Sequence, residues 1–587
     1  MEEEEDFEEE LKLEELERFK EPDIDPIKIK KRKSCLKLLV FLIIAILIII
    51  LIPIIVILFK KEIVYYEIDC IYLTQYEEEE VQLINESNNN LNFELLIDGK
   101  KVKKVFSYNF TKAGYQKVTF KYNKKIAELG DLFHGVDKLK EIDLSRINPE
   151  GFSNITGLFC DCESLERINF GNNIKIVNYM VETFAGCNSL VELELSSFNI
   201  KNTKNMARLF SGCHLLTSID LGYFSIENDT NIINMEAMFS GCYSLESINL
   251  TNFNLENVVD MSYMFSDCEK LVNISFGESN TKSLKRINGM FMNCLSLETI
   301  DLQHFQTSEI EDMSFLFYNC KNLKEINLSN FNTIKVDNMY KMFSNCQSIK
   351  SLDLSSFNTS KVRNMKKMFF NCINLRSINL NSFDTQNVAY FESLFENCSS
   401  LKDLDLNSFS TEKAIEMNNM FSGCSSLTNL NISNFKANIL NSVIQLFEGC
   451  SNLTYIDLSF LNKSQGLMFT NRMFKNCISL EEIHFPNLFT FFLHETEEMF
   501  YGCENIKSID FNNLNTLTVK NMKRMFYNCS SLNELNIGNF NTRNVENYED
   551  IFYGIKNSTS FNIKYNKNKT QEIEDAIMEN WNKSFSS

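Results

Sequence analysis

The sequence predicts an α/β solenoid. Many near-identical coils, each a short strand followed by a short helix, stack behind one transmembrane helix and a small β cap. Three observations carry this. Fifteen cysteines recur between Cys162 and Cys529, and eight successive intervals, from Cys242 to Cys450, are 26 residues long; a fixed period of that size belongs to stacked repeats. Residues 38–59 form an uncharged run rich in Ile and Leu. Only 5 Pro and 19 Gly occur in 587 residues, too few for the joints of a chain of independent modules. The net charge of -20 and pI near 5.0 make nucleic acid a poor partner, because phosphate binding needs a basic face, and none is expected.

Residues 1–27 hold 14 acids and three bases, a self-repelling run that buries nothing and is expected to be disordered. Lys28, Lys30, Lys31, Arg32, Lys33 and Lys37 then reverse the sign. Residues 1–37 are thus an acidic-then-basic tail. The run from Leu38 to Phe59, at about 1.5 Å rise per residue, is long enough to cross the hydrocarbon core. Basic residues before the run outnumber Lys60 and Lys61 after it. That bias predicts a signal anchor with a cytoplasmic amino end, hence a single-pass type II plasma-membrane protein with its repeats outside. Residues 62–128 read as a β-rich cap: Val81–Ile84, Phe93–Ile97 and Lys117–Phe120 alternate like strands, with Asp98-Gly99 as a turn.

The repeats are expected over 129–555. In one unit, Ile349, Leu352, Leu354 and Phe357 give L-x-x-L-x-L-x-x-F, like the strand segment of a leucine-rich repeat, with Leu352 and Leu354 inward and Asp353 outward. Val362, Met365, Met368/Phe369 and Cys372 then fall at i, i+3, i+6/i+7 and i+10, which predicts a short helix on the opposite side. Thr359 stands at the N-cap position, as do Thr307, Thr333, Thr385 and Thr411 in their units. A lone coil cannot bury its apolar side, whereas stacked coils bury one another. The recurring Phe of Met-Phe (Phe343, Phe369, Phe395) and that of the strand segment (Phe331, Phe357, Phe383, with Phe224 among them) predict two aromatic ladders in the core.

The unit L-x-x-L-D-L-S-x-F-N-T-x-x-V-x-N-M-x-x-M-F-x-x-C resembles the BspA-like leucine-rich repeats of mycoplasma, gut-bacterial and protist surface proteins. Residues 323–346, 349–372, 375–398 and 401–424 match it best, and the likeness spans about 139–553. The resemblance implies a surface solenoid used in adhesion or binding. Mycoplasma members often begin with a lipoprotein signal, and this chain carries the anchor helix instead.

An odd ladder of 15 cysteines in equivalent positions points to buried thiols acting as small hydrophobes, with an external disulfide staircase as the alternative. Cys160 doubles up with Cys162 and Cys70 stands alone, which allows a Cys70–Cys160 bridge. Five His and no C-x-x-C pair give no reason to expect a metal, and no cofactor motif is present. His484 and His494 flank Pro486 without companions. No nucleophile elbow, phosphate loop or zinc-protease motif occurs, so no catalytic residue is assigned. Residues 556–587, with Trp581, are expected to cap the far end, with a helix over 570–583.

The outward strand position reads Asp301, Asn327, Asp353, Asn379, Asp405, Asn431, Asp457, His484 and Asp510. Strands stack about 4.8 Å apart, so interleaved Asn separates like charges and offers an amide to bridge them. This stripe is either a solvated hydrogen-bonding ladder or a ligand-binding face. Asn249, Asn327, Asn358 and Asn431 head glycosylation sequons. Two functions stay open: binding of a protein or glycan on another cell or matrix through the strand face, or a structural coat that self-associates.

Overall fold

The structure is a computed structural model that describes residues 26–58, 65–88, 91–122, 128–148, 152–171, 174, 176–221, 232–251, 253–278, 280–464, 466–485, 492–512, 514–555, 561–566 and 575. The acidic tail to residue 25, Phe59, Phe224, Pro486 and Trp581 lie outside these residues, as does the helix expected over 570–583 save Asp575. Two compact units are present, Met1–Tyr65 and Tyr66–Ser587.

The described residues of the first unit include one helix, α1, over Pro26–Leu58. Within it Ser34–Ile52, which includes Leu38, is a stretch of 19 residues with every side chain exposed. That stretch is long and apolar enough to cross a membrane.

The second unit is a solenoid whose strands are parallel and in register at the sequence period. Ser351 pairs with Ser377, Leu352 with Ile378 and Asp353 with Asn379, and the pattern recurs at Tyr455–Asp457 with Glu482–His484. The first coil strand, Leu139–Asp143, is parallel to Arg167–Asn169 on one side and antiparallel to Tyr66–Thr74 on the other. Tyr66–Thr74 in turn pairs antiparallel with Gly114–Tyr122 along its whole length. The amino-terminal edge of the ladder is thus closed by antiparallel strands, which removes a row of unpaired N–H and C=O groups. At the far end Asn562–Tyr565 adds one more parallel strand beside Glu534–Ile537.

The short helices are the expectation that fails. Met365, Lys367, Phe369 and Asn371 donate their N–H groups to Tyr390, Glu392, Leu394 and Glu396 of the following coil. The intervening Met368, Phe370 and Cys372 donate to the carbonyl three residues back. Lys367 and Asn371 sit at φ 58° and 60°, outside any right-handed helix. The back of each coil is therefore a run of three-residue turns stitched to its neighbour. A second parallel ladder, of single bridges, joins Asn338, Asn364, Tyr390 and Glu416. A helix would spend its amides internally and leave coil-to-coil adhesion to side chains alone. Alternating turns send half of them outward. The fold is a leucine-rich-repeat-like β-solenoid with parallel strands and few helices.

The threonines also act differently from caps. The Thr359 hydroxyl donates to the Asp384 carbonyl at 2.9 Å and accepts the Asp384 N–H at 2.8 Å. Thr333 holds Asn358 and Thr385 holds Ser410 in the same way. All three threonines are fully buried. Each is a staple between coils.

Inside, the Met-Phe rings form an unbroken stacked column. Phe317, Phe343, Phe369 and Phe395 lie 5.4–5.9 Å apart, centroid to centroid, with planes within 14° of parallel. At about 1.5–3 kcal/mol for each buried ring, this column dominates the core. The strand-side rings are stacked from Phe331 to Phe409, whereas Phe276 meets Phe305 edge to face and Phe511 meets Phe540 at a 39° tilt.

Every described cysteine is free, and all but Cys35 are buried. Cys346 Sγ donates to the Phe317 carbonyl at 3.1 Å and Cys372 Sγ to that of Phe343 at 3.2 Å, and the contact repeats up the ladder. A small apolar side chain with one weak donor suits that place. The Cys70–Cys160 bridge does not form.

Candidate binding face

Each stripe residue follows the inward strand residue: Asp353, Asn379, Asp457 and Asp510 end their strands, and Asp301, Asn327, Asp405 and Asn431 stand one place beyond theirs. Because a carboxylate or amide oxygen reaches its own backbone two residues on, Asp and Asn suit this place. Asp353 Oδ1 accepts the Ser355 N–H at 3.0 Å, and Asp301, Asn327 and Asp405 accept those of Gln303, Ser329 and Asn407 at 3.0–3.1 Å. Asn379, Asn431, Asp457 and Asp510 do the same for Asn381, Ser433, Ser459 and Asn512. The stripe is thus a column of strand-ending turns. Asp301, Asn327, Asp353, Asp405, Asn431 and Asp510 are exposed, while Asn379 and Asp457 are half-buried.

Charge separation by amides is realised locally. Asn379 Nδ2 donates to Asp353 Oδ1 at 3.0 Å, but Asn431 reaches Asn407 instead of Asp405. The Ser355 N–H, then the Ser355 hydroxyl, hold the Asp353 carboxyl below the usual carboxylate range. It remains an anion at any neutral or mildly acidic pH.

The column extends farther toward the cap than the sequence reading placed it. Asp143 and Asn169 stand in register on adjacent strands, and Asn169 Nδ2 donates to Asp143 Oδ1 at 3.2 Å, repeating the 379–353 bridge. Glu194 continues it, and Asp69 of the cap faces Asp143 across the antiparallel pair. These residues line a shallow concavity of about 610 Å³ shared with Glu141, Glu166 and Arg167. The I-D-L of Ile142–Leu144 was the available signal, the same grammar as Leu352–Leu354. Asp69 had none, because its place depends on strand pairing with a non-repeat segment.

Of the sequon residues, Asn249, Asn327, Asn358 and Asn431 are all exposed. Asn249 Oδ1 accepts from both the N–H and the hydroxyl of Thr251, so the sequon closes on itself as a turn. Asn358 does likewise with Ser360. His484 continues the column beside Asp457, whereas His494 is half-buried away from it.

The family model described as "Mycoplasma protein of unknown function, DUF285" matches seven overlapping segments: 100–224, 178–299, 217–325, 285–403, 339–460, 371–487 and 468–586. The chain belongs to the DUF285 family. The likeness to BspA-like leucine-rich repeats holds with it. No curated protein matches the sequence. A crystal structure of a leucine-rich repeat protein from Bacteroides ovatus ATCC 8483 is similar at 22% identity, covering 79% of this chain and 90% of that one, with a TM-score of 0.40. Another, from Eubacterium ventriosum ATCC 27560, shares 18% identity over 59% of this chain and 85% of its own, with a TM-score of 0.23. The Toll–Spätzle complex of Drosophila shares 14% over 71% of this chain and 60% of that one, with a TM-score of 0.22.

Proposed function

We propose that this DUF285 protein is a single-pass, type II plasma-membrane protein whose solenoid, displayed outside the cell, binds a protein or glycan on another cell or matrix without catalysing a reaction. The observation that supports the binding face most is the exposed Asp/Asn column. From Asp301 to Asp510 it sets one carboxylate or amide at each coil save that of His484, on a rigid backbone lattice, with one oxygen used by the turn and the rest of the group directed outward. Such a surface costs a partner little ordering entropy on the protein side. The basic flank before the apolar run supports the orientation. Sugars at Asn249, Asn327 and Asn431 would cover part of the face, whereas one at Asn358 would sit beside it.

The test is a protein and glycan array probed with the full chain in detergent, beside a variant carrying Asp353→Lys, Asp405→Lys and Asp510→Lys. Binding that the triple variant loses, with its circular dichroism unchanged, is the expected result. Equal binding by both proteins rejects this face. Self-association of the full chain with no array hit identifies the coat role instead. Protease applied to intact cells should remove the solenoid and spare the tail; the reverse pattern refutes the orientation.

A further inference from the structure

The first two coils carry a cluster found in no later pair among the described residues. His134 and Cys160 occupy the same place in successive coils, because each follows a stacked ring, Phe133 or Phe159, with centroids 5.9 Å apart. Backbone bonds lock the two coils at that point: Phe133 N–H to the Leu158 carbonyl at 3.0 Å and Gly135 N–H to the Cys160 carbonyl at 2.7 Å. Ligand atoms of His134, Cys160 and Asp161 lie within 4.8 Å of one another. The imidazole is flanked on both sides: Nδ1 is 3.5 Å from Asp131 Oδ1 and Nε2 is 3.8 Å from Asp161 Oδ2. The next coils supply the room. A side chain at Gly157 would meet Asp131 Oδ1 at 2.1 Å, and one at Gly186 would meet Asp161 Oδ1 at 2.4 Å.

We infer that His134, Cys160 and Asp161 form a binding site for a borderline-soft divalent transition ion, Zn²⁺ by donor set, with Asp131 orienting the histidine from behind. One imidazole nitrogen, one thiolate and one carboxylate are the ligand types of zinc centres, whereas Ca²⁺ and Mg²⁺ take oxygen only. Ligand atoms around tetrahedral zinc stand roughly 3.3–3.8 Å apart, given bonds of about 2.0–2.3 Å. Closing from 4.8 Å asks for about 1 Å of side-chain movement, and His134 and Asp161 are exposed enough to make it. Asp131, 3.5 Å from Nδ1, is placed to complete the carboxylate–histidine–metal arrangement that would fix the ring with Nε2 toward the ion. As the ion binds, the Cys160 thiol releases its proton to solvent and forms a metal–sulfur bond; no electrons are transferred. The bound ion would clamp the first coil to the second beside the cap. The site is separate from the strand face and does not depend on it.

The probe is Co²⁺, added without oxygen to the full chain in detergent, in a Cys35→Ser background that removes the exposed thiol. The expected result is one equivalent bound, with a thiolate-to-cobalt charge-transfer band in the near ultraviolet that Zn²⁺ abolishes. Cys160→Ser should remove the band. Serine stands at this place in later coils, as Ser211 and Ser240, so the fold should tolerate it. Asp131→Asn should weaken binding about 10-fold or more. In the unsubstituted protein, Zn²⁺ should slow amide exchange in the 128–136 and 157–163 segments. No band, a band that survives Cys160→Ser, or exchange unaltered by zinc overturns the site.

Discussion

Thr359→Val separates two accounts of the back of the coil. The replacement keeps shape and volume but deletes the hydroxyl that serves both the N–H and the C=O of Asp384, at 2.8 and 2.9 Å. A buried polar group left without a partner costs about 1–3 kcal/mol. Asp384 is half-buried, so water takes over its carbonyl more readily than its N–H, and about 1–2 kcal/mol of local stability should be lost. That corresponds to about 5- to 30-fold faster opening-limited exchange at the Asp384 amide. Hydrogen exchange with fragment-level mass spectrometry reads that amide directly. Thr359→Ser, which retains the hydroxyl, should leave it protected. Were Thr359 the N-cap of a helix over the following residues, Val would release the amides of Lys361 and Val362 and leave Asp384, in the next coil, unaffected. Faster exchange at 361–362 with an unaltered Asp384 would refute the staple.

Three further outcomes are expected. Iodoacetamide on the native chain should label Cys35 and spare the ladder, because burial pushes thiols such as Cys372 up to about 12; reductant should leave thermal unfolding unchanged, and a fall in melting temperature would reveal bridges. Phe343→Ala, which removes a ring stacked at 5.5 and 5.9 Å on its two neighbours, should cost about 3–5 kcal/mol in urea unfolding, and a loss below about 1 kcal/mol would contradict the core column. Burial alone would raise the Glu498 carboxyl, but hydrogen bonds and charge from Lys475 and then Arg472 outweigh it and hold the group below the usual 4.5. Its contribution is therefore complete above pH 4.5 and fades as pH falls through the lower folded value. Glu498→Gln should melt lower at neutral pH, with the gap to the parent narrowing in acid. A gap that widens in acid would reverse the sign.

The repeat period, the inward Leu and Phe positions and the outward Asp353 column were legible without coordinates, because each depends on a side chain's own polarity and spacing; whether the ladder cysteines are free was left open by sequence and answered by their burial inside each coil. The back of the coil was not. Met365, Met368 and Cys372 are spaced by three and four, and over so short a stretch a 3.6-residue helix and a chain of three-residue turns bury the same residues. A second pattern distinguishes the two. The residue before each ladder cysteine is Gly, Asn or Asp, as in Asn345, Asn371 and Gly423, the residue types that accept the left-handed backbone seen there.

Which residues turn inward, and how often, follows from the polarity pattern along the chain. Which groups meet across coils follows from stacking alone: Thr359 on Asp384, Cys372 on Phe343, Asp69 beside Asp143, and His134 with Cys160 and Asp161. These contacts all join segments about 25 residues or more apart. Their geometry comes from the stacking register and the turn of each coil, which no local pattern specifies.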